Sequence, residues 1–114
     1  MAYFFKKARR FHTASITYEA IARQHPRWPM ADKALFFAAI NAEKALRFDR
    51  ALRLYKRLRK TYPRSHKGAD ALYNSALLLE QLQRYRAAAR AFQQHATLFP
   101  RQSSAPALLL RAAY

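Results

Sequence analysis

The sequence predicts an all-α fold of antiparallel helix pairs stacked into a right-handed superhelix, about seven helices in all. Three observations carry this. First, an X-Pro punctuation recurs at His25-Pro26, Tyr62-Pro63 and Phe99-Pro100, each 37 residues after the last, and a fixed period of roughly 20–50 residues marks a repeat architecture. Second, sliding the chain on itself by that interval puts like on like. Ala34-Leu35-Phe36 falls on Ala71-Leu72-Tyr73 and Ala39 on Ala76; Phe11, Phe48 and Tyr85 share a column, as do Ala14, Ala51 and Ala88, and Tyr18, Tyr55 and Phe92. Third, Ala, Leu and Arg, all good helix formers, dominate, and glycine occurs once, at Gly68, leaving almost no raw material for hairpins or phosphate-binding loops.

The elements follow in order. Residues Ala2 to Arg9 read as the remnant of a first helix, with His12 to Gln24 as its partner. Ala34, Leu35, Ala38, Ala39, Ala42 and Leu46 recur at helical spacing and predict a first helix from about Met30 to Leu46. Arg47-Phe48 makes the turn, and Asp49 is the expected N-cap of a second helix, about Arg50 to Thr61. Pro63 ends it, because the residue before a proline disfavours helical geometry. Ser65 is placed to cap the next first helix, about Lys67 to Gln83, and Tyr85 to Leu98 is its partner. Ser103 or Ser104 caps a last helix, about Ala105 to Tyr114, with Pro106 tolerated in its first turn. The expected repeats are about 1–26 (partial), 27–63, 64–100 and 101–114 (partial), one solenoid over residues 1–114.

Each column has a physical job. Ala39 with Ala51, and Ala76 with Ala88, are small where two helices must approach closely. Leu35, Leu72, Tyr55 and Phe92 supply the larger knobs around them. Phe48 and Tyr85 stand at the turns, where they are expected to close the end of each pair. A lone pair cannot bury its apolar face, so neighbours must complete the core.

Composition narrows the function. With 114 residues and 52% apolar content, the chain supports one domain with a core. It has no cysteine, which excludes disulfides and thiolate zinc sites in this stretch. The longest uncharged, mainly apolar runs, such as Ala34–Ala42, are too short to cross a bilayer. Met1 to Arg10 lacks a small-residue cleavage site and does not read as a signal peptide.

The pattern Ala71-Leu72-Tyr73…Ala76…Tyr85…Ala88…Phe92…Phe99-Pro100, matched by Ala34-Leu35, Ala39, Phe48, Ala51, Tyr55 and Tyr62-Pro63, resembles the tetratricopeptide repeat over the whole chain. The usual period of that repeat is about 34 residues. The longer spacing here, with Tyr62-Pro63-Arg64-Ser65 leading into Ala69-Asp70-Ala71-Leu72-Tyr73, is similar to repeat proteins of the bacterial envelope: the outer-membrane-protein assembly lipoprotein and the periplasmic coordinator of the Tol–Pal system. Arg47 and Arg84 depart from the small residue common before the aromatic turn position. The resemblance implies a periplasmic or envelope setting if the natural protein carries a signal, and a cytoplasmic one otherwise.

It also implies a protein or peptide partner held in a concave groove lined by the first helices. The residues left over from the pair core are Lys33, Phe36, Phe37, Ile40 and Lys44 in one repeat, and Asp70, Tyr73, Asn74, Leu77 and Gln81 in the next. Their spacing of three and four places each set on one helical face. Phe36 and Tyr73 are the expected anchors, with Asn74 bonding a ligand backbone; Phe37 and Ile40 either join them or pack against the neighbouring repeat. Leu110, Arg111 and Tyr114 continue the row. Phe36 and Ile40 occupy positions where a polar carboxylate clamp would be needed, which argues against capture of a chain terminus.

Charge is the other unusual feature. Twenty-two Lys and Arg against six acids give a net +16, which calls for an acidic protein, an anionic membrane surface or nucleic acid. Arg50, Arg53, Arg57 and Lys60 form a stripe on one second helix, but the equivalent helix offers only Arg86 and Arg90, so the patch is local. A solvated outer face is the plain alternative. Nucleic acid is the lesser partner, since no zinc-finger, RNA-recognition or glycine-loop motif accompanies the charge. No acidic pair, His ligand spacing or Ser–His–acid arrangement supports catalysis, a metal or a cofactor. Ala107-Leu108-Leu109-Leu110 is apolar on most sides, so further repeats or self-association through the C-terminal helix are expected to cover it.

Overall fold

Close approach at the alanine columns organises five helices: α1 (Ala2–Gln24), α2 (Ala31–Lys44), α3 (Phe48–Thr61), α4 (Lys67–Gln81) and α5 (Tyr85–Leu98). The computed structural model describes residues 2–100, with side chains from Lys6 onward; the expected last helix, and with it Leu110, Arg111 and Tyr114, lies outside the described residues. No strand occurs among those residues. Consecutive helices pack on one another, and α2 also touches α4. The fold is thus α2/α3 and α4/α5 pairs stacked side by side, with α1 against the outer side of α2. Ala39, Ala51 and Ala76 are fully buried and Ala88 nearly so, among Leu35, Leu72, Tyr55 and Phe92.

Both pairs turn in the same way. At the end of α2, Leu46 N–H donates to Glu43 O (2.9 Å) and Arg47 N–H to Ala42 O (2.8 Å). At the end of α4, Gln83 N–H donates to Glu80 O and Arg84 N–H to Leu79 O (2.9 Å each). This pair of bonds satisfies the last helical carbonyls and requires a left-handed residue, usually glycine. Here the residues are Leu46 (φ 61°) and Gln83 (φ 62°). Neither advertises that conformation, so the sequence places the turn one residue late.

Three further expectations are corrected. Residues 2–24 form one helix, not a remnant and a partner. A return segment of so few residues would bury little apolar surface while opening two more sets of unpaired helix-end groups, and nothing from Lys6 to Phe11 is a helix breaker. Asp49 is not the N-cap of α3; the helix begins at Phe48, no side chain caps it, and Asp49 lies in the first turn, where its charge suits the helix dipole and it accepts from Arg84 Nη2 at 3.4 Å. Tyr85 does not close its pair, being 62% exposed, whereas Phe48 packs against the core.

The inter-repeat turns are tied together by polar contacts. Ser65 Oγ accepts from Lys67 N–H (3.0 Å) at the start of α4 and donates to Asp32 Oδ2 (2.5 Å). Tyr62 OH donates to Pro26 O (2.8 Å), joining the proline turn of one repeat to that of the repeat before.

These features set two opposite stability outcomes. Replacing the left-handed Gln83 with Gly removes a Cβ clash and is expected to stabilise by roughly 0.5–1 kcal/mol after the added unfolded-state entropy. Ala51→Leu forces methylenes into a closed helix contact and is expected to cost about 1–3 kcal/mol. Thermal melts of the two variants beside the parent check both signs; a stabilising Ala51→Leu would show the α2/α3 contact to be wrong.

Candidate functional site

The predicted groove residues divide sharply. Phe36 is 8% exposed. Its ring lies 6.1 Å from Phe37 and 6.0 Å from Tyr55, with Lys67 Nζ 5.0 Å above it, so it is a core residue and not an open anchor. Tyr73 is half-buried against Phe92 (6.2 Å) and His95 (5.7 Å). Asn74 is half-buried, and its Nδ2 donates to Tyr55 OH (3.3 Å), so the amide is engaged inside the repeat. Ile40 and Leu77 pack against the two cores. Of the expected set, Lys33, Phe37, Lys44, Asp70 and Gln81 are exposed; Asp70 sits 4.0 Å from Lys67 Nζ.

The polar groups behind this face explain why it is closed. Tyr55 OH donates to Glu43 Oε2 and accepts from Asn74, linking α2, α3 and α4. Burial pushes the Glu43 carboxyl above its usual range, with the tyrosine hydrogen bond acting against the shift. Burial and then the Glu43 bond push the Tyr55 phenol up. His95, in the column of Leu58, is buried, and its Nδ1 has no hydrogen-bond partner among the described residues. Burial holds its pKa below the ordinary value, opposed by Asp70.

The open apolar surface lies one step toward the N-terminus. Tyr18 and Ile21 of α1, Trp28 and Met30 of the turn, and Lys33, Ala34 and Phe37 of α2 line a groove of about 200 Å³. The rings of Tyr18 and Phe37 lie 5.8 Å apart, tilted by 38°, and Trp28 is 47% exposed. Sequence reasoning brought Lys33 and Phe37 here but missed Tyr18, Ile21, Trp28 and Met30. The signal was present in Trp28, the chain's single tryptophan, placed in an inter-repeat turn where polar residues are the rule.

The basic stripe is partly neutralised. Arg50 donates to Glu19 Oε1 (2.6 Å) and Ser15 Oγ (3.0 Å), and Arg57 donates to Glu19 Oε2 (2.8 Å). Two of the four cations therefore clasp α3 to α1. Arg53 and Lys60 remain exposed, with no carboxylate partner among the described residues.

The tetratricopeptide repeat profile matches residues 33–65 and 70–101, more than half of the sequence. The chain belongs to the tetratricopeptide repeat family. Such repeats mediate protein–protein interaction, and their helix pairs bind protein or peptide partners. A comparison with curated proteins returned no match. Among the described residues of this tetratricopeptide repeat chain, no group of three or more His, Asp or Glu is placed to hold a metal ion, and no helix is long and apolar enough to cross a membrane.

The buried imidazole gives a pH-dependent outcome. A lowered folded pKa means that the unfolded chain binds the proton first. The stability contributed by neutral His95 is therefore full above pH 6.5 and lost as pH falls through the folded value. His95→Leu, which restores the residue of the equivalent column, is expected to gain on the parent progressively as pH falls below 6.5. Parallel denaturant titrations check this; a pH-independent difference would place the imidazole in solvent. His12, also shifted down by burial and then by Arg47 and Arg50, remains in both proteins and cancels.

Proposed function

We propose that this chain is a non-enzymatic scaffold whose α1/α2 groove takes an apolar segment of a protein partner. The observation that carries this is the cluster of Tyr18, Trp28, Met30 and Phe37, each large, apolar and more than a third exposed, around one depression. Exposed aromatics grouped in a concavity are the usual anchors of a binding surface. Lys33 at the groove and the net +16 favour acidic residues flanking the bound segment. The setting we propose is a bacterial cell-envelope assembly; its support is the resemblance of the long repeat period and the Tyr62-Pro63-Arg64-Ser65 turn.

A nucleic-acid adaptor would need a continuous basic track, and the Glu19 bridges to Arg50 and Arg57 interrupt the one stripe available. An anionic membrane surface would meet only Arg53 and Lys60 of that stripe.

Selection of a displayed random-peptide library on the chain is expected to enrich sequences with apolar anchors beside acids. Trp28→Ala with Phe37→Ala should weaken the winning peptides by roughly fivefold or more, since a truncated anchor commonly costs over about 1 kcal/mol. Enrichment indifferent to both substitutions, or retention of generic RNA at physiological salt with no peptide selected, would overturn the groove assignment.

A further inference from the structure

We propose that the pocket between the two inter-repeat turns takes an acidic side chain of an extended protein segment, held between Arg27 and Arg64; this deepens the scaffold reading above and rests on it.

The pocket is a product of the repeat. Residues 25–30 join α1 to α2, and residues 62–66 join α3 to α4. The two turns together line a depression of about 380 Å³, whose walls all belong to the described residues. Two bonds hold the turns against each other: Tyr62 OH donates to Pro26 O (2.8 Å), and Ser65 Oγ donates to Asp32 Oδ2 (2.5 Å). The site is thus shaped before a ligand arrives, which lowers the ordering cost of binding.

Arginine follows the turn proline at every period: Arg27 after Pro26, Arg64 after Pro63 and Arg101 after Pro100. Arg101 lies outside the described residues. Arg27 and Arg64 both line the pocket, and both are exposed. Packing does not call for a guanidinium at an exposed turn position, so its return in one column points to a ligand. The neighbouring polar groups are already engaged. Asp32 accepts at both oxygens, Oδ1 from Lys33 N–H (2.8 Å) and Oδ2 from Ser65, and the Tyr62 hydroxyl is spent on Pro26. Neither the Arg27 nor the Arg64 guanidinium has a carboxylate or hydrogen-bond partner among the described residues.

Charge selects the occupant. The charged residues lining the pocket are Arg27, Arg64 and Asp32, which leaves one net positive charge. One carboxylate balances it. A phosphate dianion overshoots it, and a nucleic-acid strand, with a charge about every 3.4 Å, would press phosphates against Asp32. A guanidinium also presents a planar fork that matches a carboxylate. The remaining wall is proline ring with Trp28 and Tyr62, suited to the apolar neighbours of that acid in an extended chain. Trp28 lines both this pocket and the α1/α2 groove. The partner therefore carries its acid beside its apolar anchor, on the turn side of Trp28.

The test is fluorescence anisotropy on the full chain with a labelled decapeptide of alternating Leu and Glu. Its Leu/Gln counterpart, a Leu/Lys counterpart and a single-stranded DNA decamer run beside it, and Trp28, the single tryptophan, reports from the pocket wall. The parent should prefer the Glu peptide to the Gln peptide and to the DNA at physiological salt. Arg27→Glu with Arg64→Glu should weaken the Glu peptide roughly tenfold or more, leave the Gln peptide unchanged and improve the Lys peptide. Arg53→Glu with Lys60→Glu makes the same change in net charge on α3 and should cost the Glu peptide about twofold at most. Circular dichroism confirms that each variant is folded. Equal losses from the two pairs, no preference for Glu over Gln, or tighter binding of the DNA that is lost with the turn arginines would overturn the proposal. Phe37→Ala separates it from the groove assignment. If that variant weakens both peptides and the turn arginines matter to neither, the groove stands and the pocket falls; the converse leaves the pocket and removes the groove.

Discussion

A helix pair of this chain buries only one side of each helix, so every pair depends on the next for the rest of its core. The alanine columns make the dependence workable. Ala39 and Ala51 share one buried cluster and Ala76 and Ala88 another, and larger residues such as Phe36 and Tyr55 stand beside them, where they meet the neighbouring repeat through Lys67 and Asn74. Phe36 shows the consequence. It belongs to α2, yet its environment is Tyr55 on α3 and Lys67 on α4. Stacking also sets the polar network, because Glu43, Tyr55 and Asn74 come from three successive helices.

The same dependence explains which parts of the fold are legible in the sequence. Period and helix order are visible because small and aromatic columns repeat, and Pro63 and Ser65 mark α3's end and α4's start in local chemistry. The turn residues are not visible. Leu46 and Gln83 adopt left-handed geometry because the stacked pair imposes it, and their side chains give no hint of it. The continuity of α1 is hidden for the complementary reason: Phe11 carries the turn-column aromatic, but nothing is present to reward a reversal there.

The groove is the harder lesson. One helical face of α2 contains both Phe36 and Phe37, and spacing alone cannot say which points outward. The deciding fact is non-local: α4 and α3 cover Phe36, whereas Phe37 meets the Tyr18 ring of α1 at a tilt. Likewise Arg50 and Arg57 look like free surface charge until Glu19, more than thirty residues earlier in the chain, is placed beside them. Binding surface in such an array is what stacking leaves uncovered.

Hydrogen–deuterium exchange resolved along the chain tests that dependence most directly. Amides of Ala51 to Leu58 in α3, packed between α2 and α4, should exchange last, near the global unfolding limit. Those of Lys6 to Arg10, where α1 runs on without a covering first helix, should exchange first. Equal protection across these two segments, or faster exchange in α3, would contradict a core completed from neighbour to neighbour.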